Sequence, residues 1–467
     1  MRVIILFITL LFPFFITAQT ESQTVFSFSD FEELVKKYHP VAGQAGLLPK
    51  TGKATILSAR GNFDPSIYTD LDQKYFEDKK YFSLLNSGLK LPTWYGIELK
   101  GGYEQNQGVY LSDENILPTQ GLAYAGISLP IGQGLFIDQR RATLQQAKLF
   151  AQSTGAQQQI MLNELIYNAG KTYWDWFLAY NNFLIYESAL QAAEVRFSAV
   201  KQSAQMGDRP FIDTLEAGIQ LQDRTLAFQQ STLEFKNKSL ELSNYLWYEN
   251  NIPLELDENT IPVAASNLSF SDNEIKNFIS KLDSLQQTHP ALTISRIKIA
   301  TLEVERKLKT EKLKPVLNIN YNALSVPVNS DALTNYSINN YKWGLSFYMP
   351  LLLRKERGEL QLTKLKLTDA NYELQNKNLE LLNKSKAGIN EHSVSIQQVK
   401  LYSKTVRDYE SLLEAEKRMF EGGESSLFMI NARELSAINA RIKLTELITK
   451  TKKALLTVEY SFGELGF

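Results

Sequence analysis

Two periodicities divide this chain. In 317–323 the odd positions are apolar and the even ones are all asparagine. In 342–349, Trp343, Leu345, Phe347 and Met349 share one face. Ala123, Ala125, Ile127 and Leu129 repeat the alternation. So do Tyr95, Ile97, Leu99 and Tyr103, with Glu98, Lys100 and Glu104 opposite. Residues 67–75 are a weaker case, with Asp70 and Asp72 on the polar side. Period two with one apolar and one wet face predicts strands of a sandwich edge or of a membrane barrel wall. Strands that are few, aromatic-rich and set in an otherwise helical chain favour the wall.

After Pro130 and again after Pro350 the period changes. Leu162, Ile166, Ala169, Tyr173, Trp176, Tyr180 and Phe183 step alternately by four and three, which is a heptad seam. Residues 139–206 contain two glycines, Gly155 and Gly170, and no proline. A helix of that length spans roughly 100 Å at about 1.5 Å per residue, too long for a globular core. Gly207 and the pair Gly422–Gly423 turn the chain back into helices expected over 214–248 and 431–460, where Leu435, Ile438 and Ile442 continue the pattern.

The same plan occurs twice. His39-Pro40 is followed 25 residues later by Pro65, and His289-Pro290 is followed 25 residues later by Pro315. Residues 141–149 match 357–365 at five of nine positions. Arg141 lies 66 residues before Gly207, and Arg357 lies 66 residues before Gly423. Each copy therefore reads as short helix, strands, very long helix, glycine turn and returning helix. The expected organisation is a leader over 1–19, a first repeat over 20–248, a link over 249–271 and a second repeat over 272–467. Three strands are expected in the first half, over 63–75, 94–105 and 121–129. The middle one is the extra, and 77–118 is read as an enlarged external loop carrying a hairpin of its own.

Composition narrows the function. Lys plus Arg number 50 against 51 for Asp plus Glu, so the basic excess that phosphate binding needs is missing and nucleic acid is not an expected partner. Without cysteine there is no disulfide, thiol nucleophile or zinc-thiolate site. Arg2, the apolar run 3–16 broken by Pro13, and Thr17-Ala18-Gln19 read as a secretory leader cleaved near Ala18 or Gln19. The run is shorter than the ~20 residues of a bilayer span.

Catalytic chemistry is not outlined. Among the three histidines, His39 and His289 begin equivalent helices, and the sequence around His392, which lies mid-helix, places no His or carboxylate pair at metal-binding spacing from it. Gly170-Lys171-Thr172 lacks the glycine that a phosphate loop requires five positions earlier, where Leu165 stands. Gly132-Gln133-Gly134 lacks the third glycine of a dinucleotide fingerprint. No catalytic residue, cofactor or metal is expected.

The doubled layout, Pro130 and Pro350 at the strand-to-helix joints, and the turns at Gly207 and Gly423 together resemble the TolC family of outer-membrane efflux proteins. The likeness covers nearly all of the chain after the leader. It implies a mainly α protein with a small membrane β-barrel, four strands per protomer, closed by a homotrimer and continued by a helical tunnel in the periplasm. It implies a passive export duct of an efflux pump or type I secretion system, with outer-membrane lipid, a periplasmic adaptor and an inner-membrane pump as partners. By the same resemblance Gly207, Asp208, Arg209, Gly422, Gly423 and Glu424 form the tip that docks the adaptor. Asp213, six positions after the first glycine, is the gate candidate. The aspartates that relatives place six and nine positions after the second glycine are here Met429 and Ala432, and an expected arginine is Ser425. The alternative from the residues alone is an envelope protein without a pore, a coiled-coil stalk with a small β head for a structural or adhesive role.

Overall fold

The computed structural model describes residues 24–270, 272–326 and 337–466. The leader expected over 1–19 lies outside the described residues. The strands are β1 (Thr24–Phe26), β2 (Ser66–Phe76), β3 (Lys79–Pro92), β4 (Glu98–Gln107), β5 (Leu122–Pro130), β6 (Trp247–Tyr248), β7 (Ile252–Pro253), β8 (Thr260–Pro262), β9 (Val316–Ser325) and β10 (Tyr341–Tyr348). The helices are α1 (Phe28–Tyr38), α2 (Pro40–Arg60), α3 (Gln139–Met206), α4 (Phe211–Ser243), α5 (Asp272–Thr288), α6 (Pro290–Glu311), α7 (Arg354–Glu421) and α8 (Leu427–Phe462). The doubled plan is visible in the lengths: α3 and α7 each have 68 residues, and α2 and α6 have 21 and 22.

The chain packs as two compact units. One holds the described residues of Pro40–Tyr167, Asp272–Ser393 and Ala454–Phe467. It contains a six-stranded antiparallel sheet in the order β10-β9-β5-β4-β3-β2. One row of partners crosses all six strands: Tyr341, Ala323, Ala125, Gly101, Leu89 and Ile67. Every paired residue up to the bulge between Lys74 and Tyr75 joins odd to odd and even to even number. All odd positions therefore share one face. That face carries Leu71, Leu85, Leu99, Ile127, Ile319, Trp343 and Phe347, and it is bare: Ile67 is 84% exposed, Phe347 67% and Trp343 63%. The even face carries Asp70, Asn86, Lys100, Glu104, Asn318, Asn320 and Lys342.

The first half thus supplies four strands where three were expected. The segment 77–118 does carry the expected hairpin, but the hairpin belongs to the sheet rather than to an external loop. Its strands, β3 and β4, are full members of the sheet and lie between β2 and β5. The strand expected over 94–105 runs from Glu98 to Gln107, because Thr93–Ile97 is a turn in which Gly96 has φ +85°.

The helices of this unit cover one another through small apolar clusters. Ile275, Phe278 and Leu285 of α5 pack on Ile389, Val458 and Phe462. Ala59 and Phe63 pack on Leu144 and Ala147.

The other unit holds the described residues of Met1–His39, Asn168–Ser271 and Val394–Lys453. Its core is aromatic. Phe31 stacks on Tyr173 at 5.5 Å between centroids, and Trp176 is wholly buried. The Tyr173 hydroxyl donates to the Phe26 carbonyl at 2.8 Å, and burial pushes its pKa up. Of the expected seam, Ala169, Tyr173 and Trp176 are buried in this unit, and Ile166 is buried in the sheet-bearing one. The returning helix α4 ends at Ser243, not near Tyr248 as expected, because the chain turns there into the short antiparallel pair β6–β7. The link holds a strand as well: β8 pairs in parallel with β1. Among the described residues no helix is long and apolar enough to cross a membrane.

Candidate functional site

The two glycine turns are built alike. Gly207 has φ +86° and Gly423 φ +78°, left-handed values that cost a side-chain-bearing residue about 1 kcal/mol or more. Each closes a Schellman motif. Asp208 N–H donates to the Ser203 carbonyl at 3.0 Å and Gly207 N–H to Ala204 at 3.2 Å. Glu424 N–H donates to Met419 at 2.8 Å and Gly423 N–H to Phe420 at 3.1 Å. These bonds satisfy carbonyls that the ends of α3 and α7 would leave open. Gly207, Asp208, Gly422, Gly423 and Glu424 are all exposed.

The helices that leave the turns start differently. Ser426 caps α8, its Oγ accepting from the Met429 N–H at 3.4 Å. Pro210 precedes α4 and offers no side-chain cap. Asp213 stands in the first turn of α4, where the helix dipole favours an acid, and pairs with Arg209 at 3.7 Å. The Arg209 guanidinium lies 4.1 Å from the ring centre of Phe420. The structure therefore brings Arg209 of the first turn against the end of α7, with Asp213 of α4 paired to it. Met429 and Ala432 offer no carboxylate, and Ser425 donates instead to Glu416, whose other oxygen lies 3.6 Å from Arg433.

The strongest polar tie in this region was not read from the sequence. Arg196 of α3 forms two bonds of 2.8 Å to the carboxylate of Glu434 on α8 and one of 3.1 Å to Asn431. Asn431 in turn donates to Glu216 of α4 at 3.1 Å. Glu434 is only 6% exposed. The partners lie 238 positions apart, and no local pattern announces them. A second feature is legible in hindsight. Ile212, Ile219, Leu226, Leu233 and Leu240 recur every seventh residue along α4, and all are exposed. On α8, Ile438 of the expected seam is buried while Leu435 is exposed.

The strand-to-helix joints are also defined. Pro130 ends β5, and Ile131 and Gln133 continue the pairing, their N–H groups donating to Leu317 and Pro315 at 2.8 and 2.7 Å. Asp138 then caps α3, accepting from the Arg141 N–H at 2.8 Å. Pro350 lies just past β10, and Leu353, at φ +48°, sets the chain into α7. No group of three or more His, Cys, Asp or Glu that could hold a metal ion occurs among the described residues.

No protein-family model matches this chain, and no curated protein matches its sequence. Solved structures do. The MtrE outer-membrane channel of Neisseria gonorrhoeae in its open state aligns with a TM-score of 0.66 at 11% identity, over 94% of this chain and 89% of that one. The outer-membrane protein VceC of Vibrio cholerae aligns at 0.65 and 11%, over 93% and 96%. The CmeC outer-membrane channel of Campylobacter jejuni aligns at 0.64 and 14%, over 94% and 86%. The chain has the fold of the TolC-like outer-membrane channels.

Proposed function

We propose that this chain is a passive export duct of the outer membrane. The observation that carries the reading is the sheet. An antiparallel wall with one bare apolar face and one polar face suits lipid on one side and water on the other. Its two edges need partners, because lipid cannot satisfy open backbone groups. The exposed heptad stripe on α4 supports packing against further copies, as a coiled-coil seam does. The homotrimer implied by the family resemblance meets both needs.

In this reading the helices form a periplasmic tunnel. The turns at Gly207, Asp208, Arg209 and at Gly422, Gly423, Glu424 dock a periplasmic adaptor and, through it, an inner-membrane pump or exporter. Asp213 acts at the mouth. The chain itself catalyses nothing, and energy comes from the pump.

The test is extraction from outer membranes followed by single-channel recording in planar bilayers. Stepwise conductance is expected. A water-soluble protein without conductance would overturn the duct and return the coiled-coil stalk.

A further inference from the structure

The pairing of β3 and β4 has a consequence for the size of the wall. A hairpin inserted between β2 and β5 could fold away from the sheet as a loop. Here it does not. β3 pairs with β2 over its length, and β4 pairs with β5 from Glu98 to Glu104. Next to the strand-to-helix end the hairpin keeps the face rule of its neighbours, with Leu85, Leu89, Leu91 and Leu99 on the bare apolar face and Asn86, Lys90, Lys100 and Glu104 on the polar one; Phe82 and Leu84, nearer the β2–β3 turn, depart from it. Tyr68 of β2 and Tyr124 of β5 close over it from both sides on the polar face, and their hydroxyls bond each other.

We propose that each copy contributes six wall strands, and that β10 of one copy pairs antiparallel with β2 of a second copy. Three copies then close an 18-stranded barrel. The number of copies rests on the duct reading above. The pairing of edges rests on the sheet itself. Six strands are too few to close alone, since the small barrels begin near 8. The six strands are antiparallel throughout, so the two edge strands, β2 and β10, point in opposite directions. Joining them continues the antiparallel order without a break. It also continues the faces, since β2 and β10 both hold their apolar residues at odd positions on the same side.

Strands ~4.8 Å apart and tilted ~40° give 18 strands a backbone diameter of roughly 36 Å, against roughly 24 Å for 12. The polar face, with Asp70, Lys100, Glu104 and Lys342, lines a water-filled channel. The outer opening is therefore wider than four strands per copy would give.

The absence of cysteine makes disulfide scanning clean. Double variants of the full chain are oxidised in outer-membrane vesicles and run on non-reducing gels. Thr69→Cys with Ser87→Cys, and Tyr103→Cys with Ala123→Cys, are expected to link within one chain. Cysteines at Asp70 or Asp72, each combined with Lys342→Cys, Gly344→Cys or Ser346→Cys, are expected to give a ladder that ends at three chains. A link between Thr69→Cys and Ala123→Cys would place β2 directly on β5. That would overturn the six-strand wall while leaving the duct standing. No interchain link from any β2–β10 combination would overturn the edge pairing. Loss of conductance in the parent protein would instead count against the duct.

Discussion

The hydroxyls of Tyr68 and Tyr124 meet across two intervening strands. Tyr68 lies opposite Gly88, and Tyr124 opposite Gly102, so each ring crosses a position without a side chain. Tyr124 also donates to Asn86 at 3.0 Å. A Cβ on Gly88 would come within 2.8 Å of the Tyr68 hydroxyl and of the Gly101 carbonyl. One on Gly102 would lie 2.6 Å from the Ser87 carbonyl. Glycine covered by a cross-strand ring lets a sheet curve toward that face and fixes its register.

The same geometry ranks three substitutions. Tyr124→Phe removes a hydroxyl and keeps the ring, which costs about 1 kcal/mol. Gly88→Ala and Gly102→Ala press on backbone and are expected to cost more. The temperature at which the assembled protein dissociates on semi-native gels should fall slightly for Tyr124→Phe and markedly for the glycine variants. Equal, small shifts in all three would mean that the rings do not hold the hairpin.

This corner also shows what the sequence hides. The strands β5, β9 and β10 were legible because their polar faces hold asparagine, lysine, serine and glycine against regular apolar rows. β3 was not. Leu84 and Leu85 are adjacent and break the alternation, Phe82 lies on the polar side, and Ser83 and Ser87 lie on the apolar one. The turn before it is Glu77-Asp78, both at positive φ, rather than an asparagine–glycine pair. The tips were legible for the opposite reason. Gly207 and Gly423 end very long regular patterns, and only their spacing had to be read. The Arg196–Glu434 pair could not be found this way, because a tertiary ion pair leaves no period.

That pair sets the second prediction. A half-buried, single-contact ion pair within one helix turn such as Arg209–Asp213, at 3.7 Å, is worth about 1 kcal/mol or less. Removing one partner of a buried, two-pronged pair costs about 3 kcal/mol, because the other charge is stranded. Arg196→Ala should therefore lower thermal stability and raise leak conductance well beyond Asp213→Ala. Replacing both partners with apolar residues should restore much of the stability and not the tight closure. If Asp213→Ala leaks as much as Arg196→Ala, the Arg196 cluster is not what holds this region.

At the turns the expected cost is conformational. Nothing lies within 4 Å of a Cβ built on Gly207 or Gly423, so a side chain there meets no clash, only a left-handed backbone. Gly207→Ala and Gly423→Ala should each lose about 1 kcal/mol, and the asparagine variants less, since asparagine tolerates this conformation. Bulky β-branched residues should weaken capture of the adaptor while the copies still assemble. Pull-down of the adaptor and gel analysis of the assembled species separate these outcomes. Parallel loss of both would confine the glycines to folding.

His289 supplies the pH dependence. It caps α6, its Nδ1 accepting from the Ala291 N–H at 3.1 Å, so that nitrogen must be unprotonated. Burial, and then the positive charge of Lys377, pull its pKa down to about 4, while a bond to the Ser461 backbone opposes them. Unfolded, the group titrates near 6.5. Above pH 6.5 both states are neutral and the contribution to stability is whole. As the pH falls from 6.5 to 4 the unfolded chain takes up the proton first, so stability declines through that window by at most about 3 kcal/mol. Below pH 4 the folded state is protonated too and the decline stops. Carboxylates add their own acid loss, so the comparison needs a variant. His289→Asn keeps a capping acceptor and has nothing to titrate there. Thermal melts of the detergent-solubilised protein should fall more steeply between pH 6.5 and 4 for the parent than for His289→Asn. Parallel curves would show that the folded and unfolded imidazole take up the proton together, and that burial does not hold it neutral.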